Sequence, residues 1–233
     1  MHNFKDYRFD SNHFRDFQKK VCLRLKFLFA CLILFFLCSC NHYEKLPIYG
    51  DRSPVMKTIN GKTEVDTIFK TIPSFRYLNQ NGSYFSNKNL VHKIYIADFF
   101  FISCPTICPI MQKNMSKLAD QFKSDSDINF ISFTIDPKHD SVARLKKYEK
   151  QIGATGKHWY FLNGNRDSTY QLAEKGFFAT AKADSTAPGG FVHSGGLILV
   201  DKLGRIRGIY DGTLEDEMKK LSSDINILKE ENN

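Results

Sequence analysis

From residue 72 onward the chain alternates short apolar runs with segments whose apolar positions recur at helical spacing. Residues 76–78 and 83–85 flank Asn81-Gly82, the pair that best suits a tight hairpin turn. Residues 94–102 are almost continuously apolar, the pattern of a strand covered on both faces. Beyond them the spacing predicts a helix over 105–122, a strand over 128–135, a helix over 141–152, a strand over 159–162 and a helix near 168–175. Residues 179–190, with Pro188, Gly189 and Gly190, read as a loop, and 196–201 with 205–210 as a hairpin about Lys202-Leu203-Gly204. From Thr213, the stripe Leu214, Met218, Leu221, Ile225 and Leu228 predicts a terminal helix. Strands alternating with helices, closed by a hairpin and a last helix, define an α/β sandwich whose central strands are parallel.

The N-terminal part follows a different pattern. Basic residues through Arg24 and Lys26 precede an uncharged stretch, 27–40, rich in Leu and Phe. As a helix it would rise about 21 Å, short of the roughly 30 Å hydrocarbon core of a bilayer, so it reads as the apolar region of a signal peptide. It ends in Leu37-Cys38-Ser39-Cys40, similar to a bacterial lipobox, in which the last Cys is lipidated and becomes the new N-terminus. The alternative is an uncleaved anchor that recruits residues 21–25, with Arg24 snorkelling. Residues 41–66 are polar, with Pro47, Gly50 and Pro54, and read as a tether containing at most an irregular edge strand. The expected organisation is thus a leader over 1–39, a tether over 40–66 and a folded domain over 67–233, held by a lipid at Cys40 on the periplasmic side of a bacterial cell envelope.

Composition sharpens this picture in two places. With 42% hydrophobic and 25% charged residues among 233, the chain can bury a real core. The net charge of +8 is divided evenly, because residues 1–39 hold seven basic side chains against three acidic ones. The remainder has no basic run interleaved with aromatics, which gives nucleic-acid binding little support.

Of the six cysteines, only Cys104 and Cys108 belong to the body. Two cysteines four apart cannot be the disulfide framework of a small secreted fold, so they are read for chemistry. Cys104-Pro-Thr-Ile-Cys108-Pro109 falls where the buried strand hands over to a helix. Pro105 suits the first helical position, Cys108 would stack one turn beyond Cys104, and the helix N-terminus favours thiolates. Both sulfurs could bind one soft ion or pair as a disulfide. Met111 and Met115, in helical register with Leu118 and Phe122, read as core, and Arg205 and Arg207 as a solvated hairpin face.

Three segments in order and spacing carry a resemblance. Ala97-Asp-Phe-Phe-Phe-Ile-Ser-Cys104-Pro-Thr-Ile-Cys108-Pro, then Phe133-Thr-Ile-Asp136-Pro137-Lys-His-Asp140, then Val192-His193-Ser194 before Leu197-Ile-Leu-Val-Asp201, together resemble the Sco/SenC family over about residues 72–212. The resemblance implies a thioredoxin-like sandwich, a central mixed sheet flanked by helices with an N-terminal hairpin extension. It also implies copper held by Cys104, Cys108 and His193, and a part in assembling the copper centre of cytochrome c oxidase. The partner would be the copper-accepting subunit of that oxidase or another copper chaperone. One position departs from the family pattern: Val192 stands where an acidic residue often precedes the His.

Two thiolates and one imidazole form a soft, three-coordinate set that suits Cu(I) and can hold Cu(II), with zinc as main competitor. A disulfide between Cys104 and Cys108 would abolish binding, so loading needs a reductant. The rival class is an extracytoplasmic thiol–disulfide oxidoreductase using the same cysteines; a peroxidase would want an Arg that is not near in sequence. His193 ends a Gly-rich loop and opens an apolar strand, a position from which a ring can enter a site, whereas His42, His92, His139 and His158 read as solvated. Asp98 lies inside the apolar run, six residues before Cys104. Either it is buried behind the cysteines, as the Asp at the same offset in thioredoxin is, or it sits at an exposed strand edge. Asp136 either faces the same carboxyl edge of the sheet or caps the helix starting near Ser141.

Mass spectrometry of the membrane-extracted protein is expected to give an N-terminus at Cys40 carrying diacylglycerol. An intact leader on the mature chain would overturn that assignment.

Overall fold

The computed structural model describes residues 45–59 and 61–231; the leader and Cys40 lie outside the described residues. Eleven strands and four α-helices follow one another: β1 (Arg52–Ile59), β2 (Lys62–Phe69), β3 (Arg76–Asn79), β4 (Tyr84–Ser86), β5 (Ile94–Phe100), α1 (Cys108–Gln121), β6 (Ile128–Thr134), α2 (Val142–Gln151), β7 (Trp159–Asn163), α3 (Arg166–Gln171), β8 (Ala181–Ala183), β9 (Phe191–His193), β10 (Gly196–Val200), β11 (Ile206–Asp211) and α4 (Glu215–Glu231). Among the described residues no helix is long and apolar enough to cross a membrane.

Seven strands form one mixed sheet in the order β11-β10-β5-β6-β7-β3-β4. The central β5, β6 and β7 are parallel, joined by α1 and α2, and every other neighbour is antiparallel. The apolar runs explain the arrangement: all residues of β5 and β6 are buried, so these strands need cover on both faces. Phe99 stacks on Phe133 at 5.2 Å between ring centroids, and Phe75, Tyr77 and Phe177 close around the pair. Met111 and Met115 on α1 are fully buried, as their spacing predicts. Leu221, Ile225 and Leu228 carry α4 onto the core, while Leu214 stays exposed before its first turn. The Asn81-Gly82 hairpin forms as expected, with Gly82 at φ 76° and Asn79 Oδ1 accepting the amides of Asn81 and Ser83.

The structure departs from the sequence reading at several points. Residues 52–69 are a regular antiparallel ribbon instead of an irregular segment, its strands being mostly exposed polar and Thr-rich residues with no core face to betray them. Residues 179–190 are not a plain loop, since β8 pairs with β9 and seats His193 opposite Ala181. The helix near 168–175 begins at Arg166, capped by Asn165, and ends in a π turn over Leu172–Gly176. The largest correction concerns Arg207 on β11 and Arg205 just before it. Arg207 is 3% exposed and bonds Asp201 at 3.2 Å, Glu231 at 2.7 Å and the carbonyls of Leu46 and Pro47 at 2.6 and 3.0 Å. Arg205 shares Asp201 at 2.7 Å. Arg207 ties the N-terminal segment to α4 instead of facing water, and Arg205 adds to it through Asp201; the Arg207 partners Leu46, Pro47 and Glu231 lie far away in sequence, so alternation along the hairpin could not show them.

Replacing Arg207 by Ala leaves the buried Asp201 and the partly buried Glu231 with less countercharge. The expected cost is about 3 kcal/mol, the low end for a broken buried pair because Arg205 remains. Denaturant unfolding followed by circular dichroism measures it, and a loss under about 0.5 kcal/mol, the range of ordinary surface changes, would contradict the burial argument.

Candidate metal centre

The site forms at the carboxyl edge of β5, where residues 101–107 turn the chain into α1. The helix starts at Cys108, one turn later than the sequence predicts, so Pro109 and not Pro105 occupies its first turn. Cys104 therefore lies in the turn ahead of the helix, and the expected stacking of the two cysteines on one helix face does not hold. What brings them together is the turn, closed by the Cys104 amide donating to Phe101 O at 3.2 Å. Asp140, fully buried, accepts from the Ile102 amide at 3.0 Å and from Thr134 Oγ1 at 2.7 Å, and so fixes the turn to the end of β6.

His193 arrives from the other side. Its Nε2 lies 2.9 Å from Cys108 Sγ and 3.8 Å from Cys104 Sγ, and all three donor atoms lie within 4.8 Å of one another. Nδ1 is 3.1 Å from the Ser194 carbonyl, which fixes the proton on Nδ1 and leaves the Nε2 lone pair facing the sulfurs. Burial holds the imidazole pKa below its ordinary value, which keeps the ring neutral and able to ligate. The hairpin bearing it fits closely: a side chain at Gly189 (φ 78°) would meet Phe101 Cε2 at 2.8 Å, and Phe101 packs edge-on against the His193 ring.

The thiols are unequal. Burial tends to raise Cys104, but amides of Thr106 and Cys108 and the Thr106 hydroxyl outweigh it and hold the thiol below its ordinary pKa. Burial pushes Cys108 well above the ordinary range, with the nearby Cys104 and Asp98 charges adding to it. Both cysteines are free thiols in this structure.

Asp98 is fully buried, which excludes the exposed-edge reading. Its Oδ1 accepts from Ser132 Oγ at 2.5 Å and its Oδ2 from Gln112 Nε2 at 2.7 Å, while Trp159 Nε1 donates to Ser132 Oγ at 2.9 Å. Burial pushes its carboxyl up to about 7, against these hydrogen bonds. Asp136 does not cap α2, because Ser141 accepts from the Arg144 amide; its carboxylate faces the His139 Nδ1 at 2.8 Å instead. Gln112, Asp140 and Ser194 escaped the sequence reading. Gln112 could have been found, since it stands one helical turn after Cys108; Asp140 lay in a quoted motif with nothing to say which atom it would hold.

The fold and site thus define a mixed-sheet α/β domain with a buried dithiol–imidazole cluster at the end of a central strand. The family model described as SCO1/SenC matches residues 64–227, and the chain belongs to that family. It is 29% identical over 203 residues to the SCO1 protein homolog of Bacillus subtilis, covering 86% of this chain and 95% of the relative. It is 28% identical to a putative copper-binding protein of Stutzerimonas stutzeri, over 60% of this chain and 68% of the relative. Among solved structures, BsSco, described as a member of the Sco family of cytochrome c oxidase assembly proteins with a disulfide switch, superposes with a TM-score of 0.59 at 29% identity, covering 67% of this chain and 91% of that one. The fold is accordingly thioredoxin-like, as the resemblance implied.

A carboxyl that holds a proton up to about pH 7 in the fold, but only to about pH 4 in the unfolded chain, makes stability fall as pH rises between those values. The metal-free Asp98→Asn variant is therefore expected to gain stability over the parent at pH 8 relative to pH 5, read as the difference in urea midpoints. An equal difference at both pH values would mean that Asp98 ionises in the fold as it does in water.

Proposed function

We propose that the chain is a membrane-tethered copper chaperone that binds copper through Cys104, Cys108 and His193 and serves assembly of the copper centre of cytochrome c oxidase, by delivering copper, by reducing the acceptor's cysteines, or both. The observation that carries this reading is the convergence of two sulfurs and one oriented imidazole nitrogen within 4.8 Å. That set is soft, carries at most two negative charges and leaves a coordination position open, which suits Cu(I) and permits transfer to another ligand set. The copper-binding relative and the oxidase-assembly relative support the assignment of metal and task. The lipobox-like Leu37 to Cys40 supports a tether in the cell envelope with the domain facing the periplasm.

A second reading, a thiol–disulfide oxidoreductase, draws on the inequality of the thiols. A lowered Cys104 can attack a disulfide while a raised Cys108 stays protonated until it resolves the mixed disulfide. That exchange has no need of His193.

Replacing His193 by Ala separates the two. The variant is expected to lose most of its Cu(II) affinity and the thiolate-to-Cu(II) absorption band, to keep weaker Cu(I) binding on the sulfurs, and to cycle with a small dithiol at a near-normal rate. Unchanged Cu(II) binding would remove the third ligand and favour the oxidoreductase.

A further inference from the structure

A cleft of about 510 Å³ opens onto the two sulfurs and runs between α1 and α2. Along α1 it reaches from Cys108 to Asp120, a rise of about 18 Å, the length of five or six residues of extended chain. Tyr148, Ile152 and Pro109 give it an apolar wall. Lys113 and Lys117 stand on its rim, exposed and one helical turn apart. Among the described residues neither forms an ion pair, and the acid of the same cleft, Asp120, is already held by Lys157 at 2.9 Å. Like charges at this spacing repel and weaken a helix, so nothing in the fold rewards keeping two uncompensated cations here. They leave a net positive, concave groove whose end is the dithiol.

We propose that this groove docks an extended, acidic segment of the partner protein, placing the partner's own metal-binding or disulfide-forming residues at Cys104 and Cys108. The proposal rests on the function argued above and names the chemistry of its partner. Carboxylates along the segment would pair with Lys113 and Lys117, and its apolar side chains would pack on Tyr148 and Ile152. A flat anionic lipid surface could touch the lysine tips but could not enter the groove.

The test uses the full chain in neutral detergent and a fluorescent eight-residue peptide of alternating acidic and aliphatic residues without cysteine. An Asn/Gln counterpart of that peptide serves as control, and binding is read by anisotropy. The parent is expected to prefer the acidic peptide, and Lys113→Glu with Lys117→Glu to weaken it about tenfold, the preference fading as salt rises. Lys113→Gln with Lys117→Gln should fall between. Equal affinity for both peptides, or for parent and reversed variant, would overturn the groove. So would displacement of no peptide by excess free acidic peptide, or lysine-dependent binding to phosphatidylglycerol vesicles without any to the peptide. The Cu(II) band of the parent, recorded on the same samples, decides the copper reading separately: its loss would sink that reading whatever the peptides do, and its persistence in the reversed variant keeps the charge effect apart from damage to the site.

Discussion

The site depends on one hydrogen bond that the chain cannot make locally. A buried strand such as β5 ends with amides that must find partners, and the turn after it has to leave Cys104 in place ahead of α1. The Asp140 carboxylate supplies the acceptor for the Ile102 amide while also receiving Thr134 at the end of β6. One oxygen therefore joins the two central parallel strands at the edge where ligands collect in α/β sheets. Burial raises its pKa, so this carboxylate is itself costly to keep charged, and the hydrogen bonds offset part of that cost. Without this brace, the cysteine turn would be free to move relative to the hairpin that brings His193.

Around the turn, burial decides the chemistry. All three donor residues are buried, Cys104 at 7%, Cys108 at 2% and His193 at 9% exposed. Low exposure keeps the imidazole neutral and Cys108 protonated, and hydrogen bonds from Thr106 and Cys108 make Cys104 the sulfur that is easier to ionise. A metal ion held by these residues would replace those protons with a single positive centre, and the apolar walls that disfavour free thiolates would then favour their bonds to it. Deprotonation of Cys108 and arrival of a cation would accordingly be coupled by the medium.

Much of this was legible in the sequence because it depends on local patterns. The apolar run over 94–102 reads as a doubly covered strand and that over 128–135 as a strand; both form, at Ile94–Phe100 and Ile128–Thr134, and the cysteines after the first drew attention to that edge. Where the reading failed, distance was the reason. Arg207 looks like any hairpin arginine until Glu231 and the Leu46 and Pro47 carbonyls are brought against it. The start of α1 slipped by a turn because both Pro105 and Pro109 suit a helix N-terminus, and local sequence does not choose between them. The 52–69 ribbon has two wet faces, so neither an apolar alternation nor a core contact announces it.

The Asp98 network has one further consequence. The chain contains a single tryptophan, and the indole N–H of Trp159 ends a line of hydrogen bonds that passes through Ser132 to Asp98, whose charge acts on Cys108. The indole is 2% exposed and stacks on Phe161, so its emission is governed by these neighbours and not by water. One indole-to-hydroxyl and one hydroxyl-to-carboxyl bond thus separate the fluorophore from a carboxyl group whose charge raises the Cys108 thiol. The one intrinsic indole of the chain is therefore set in the core beside the network behind the cysteines, not in solvent.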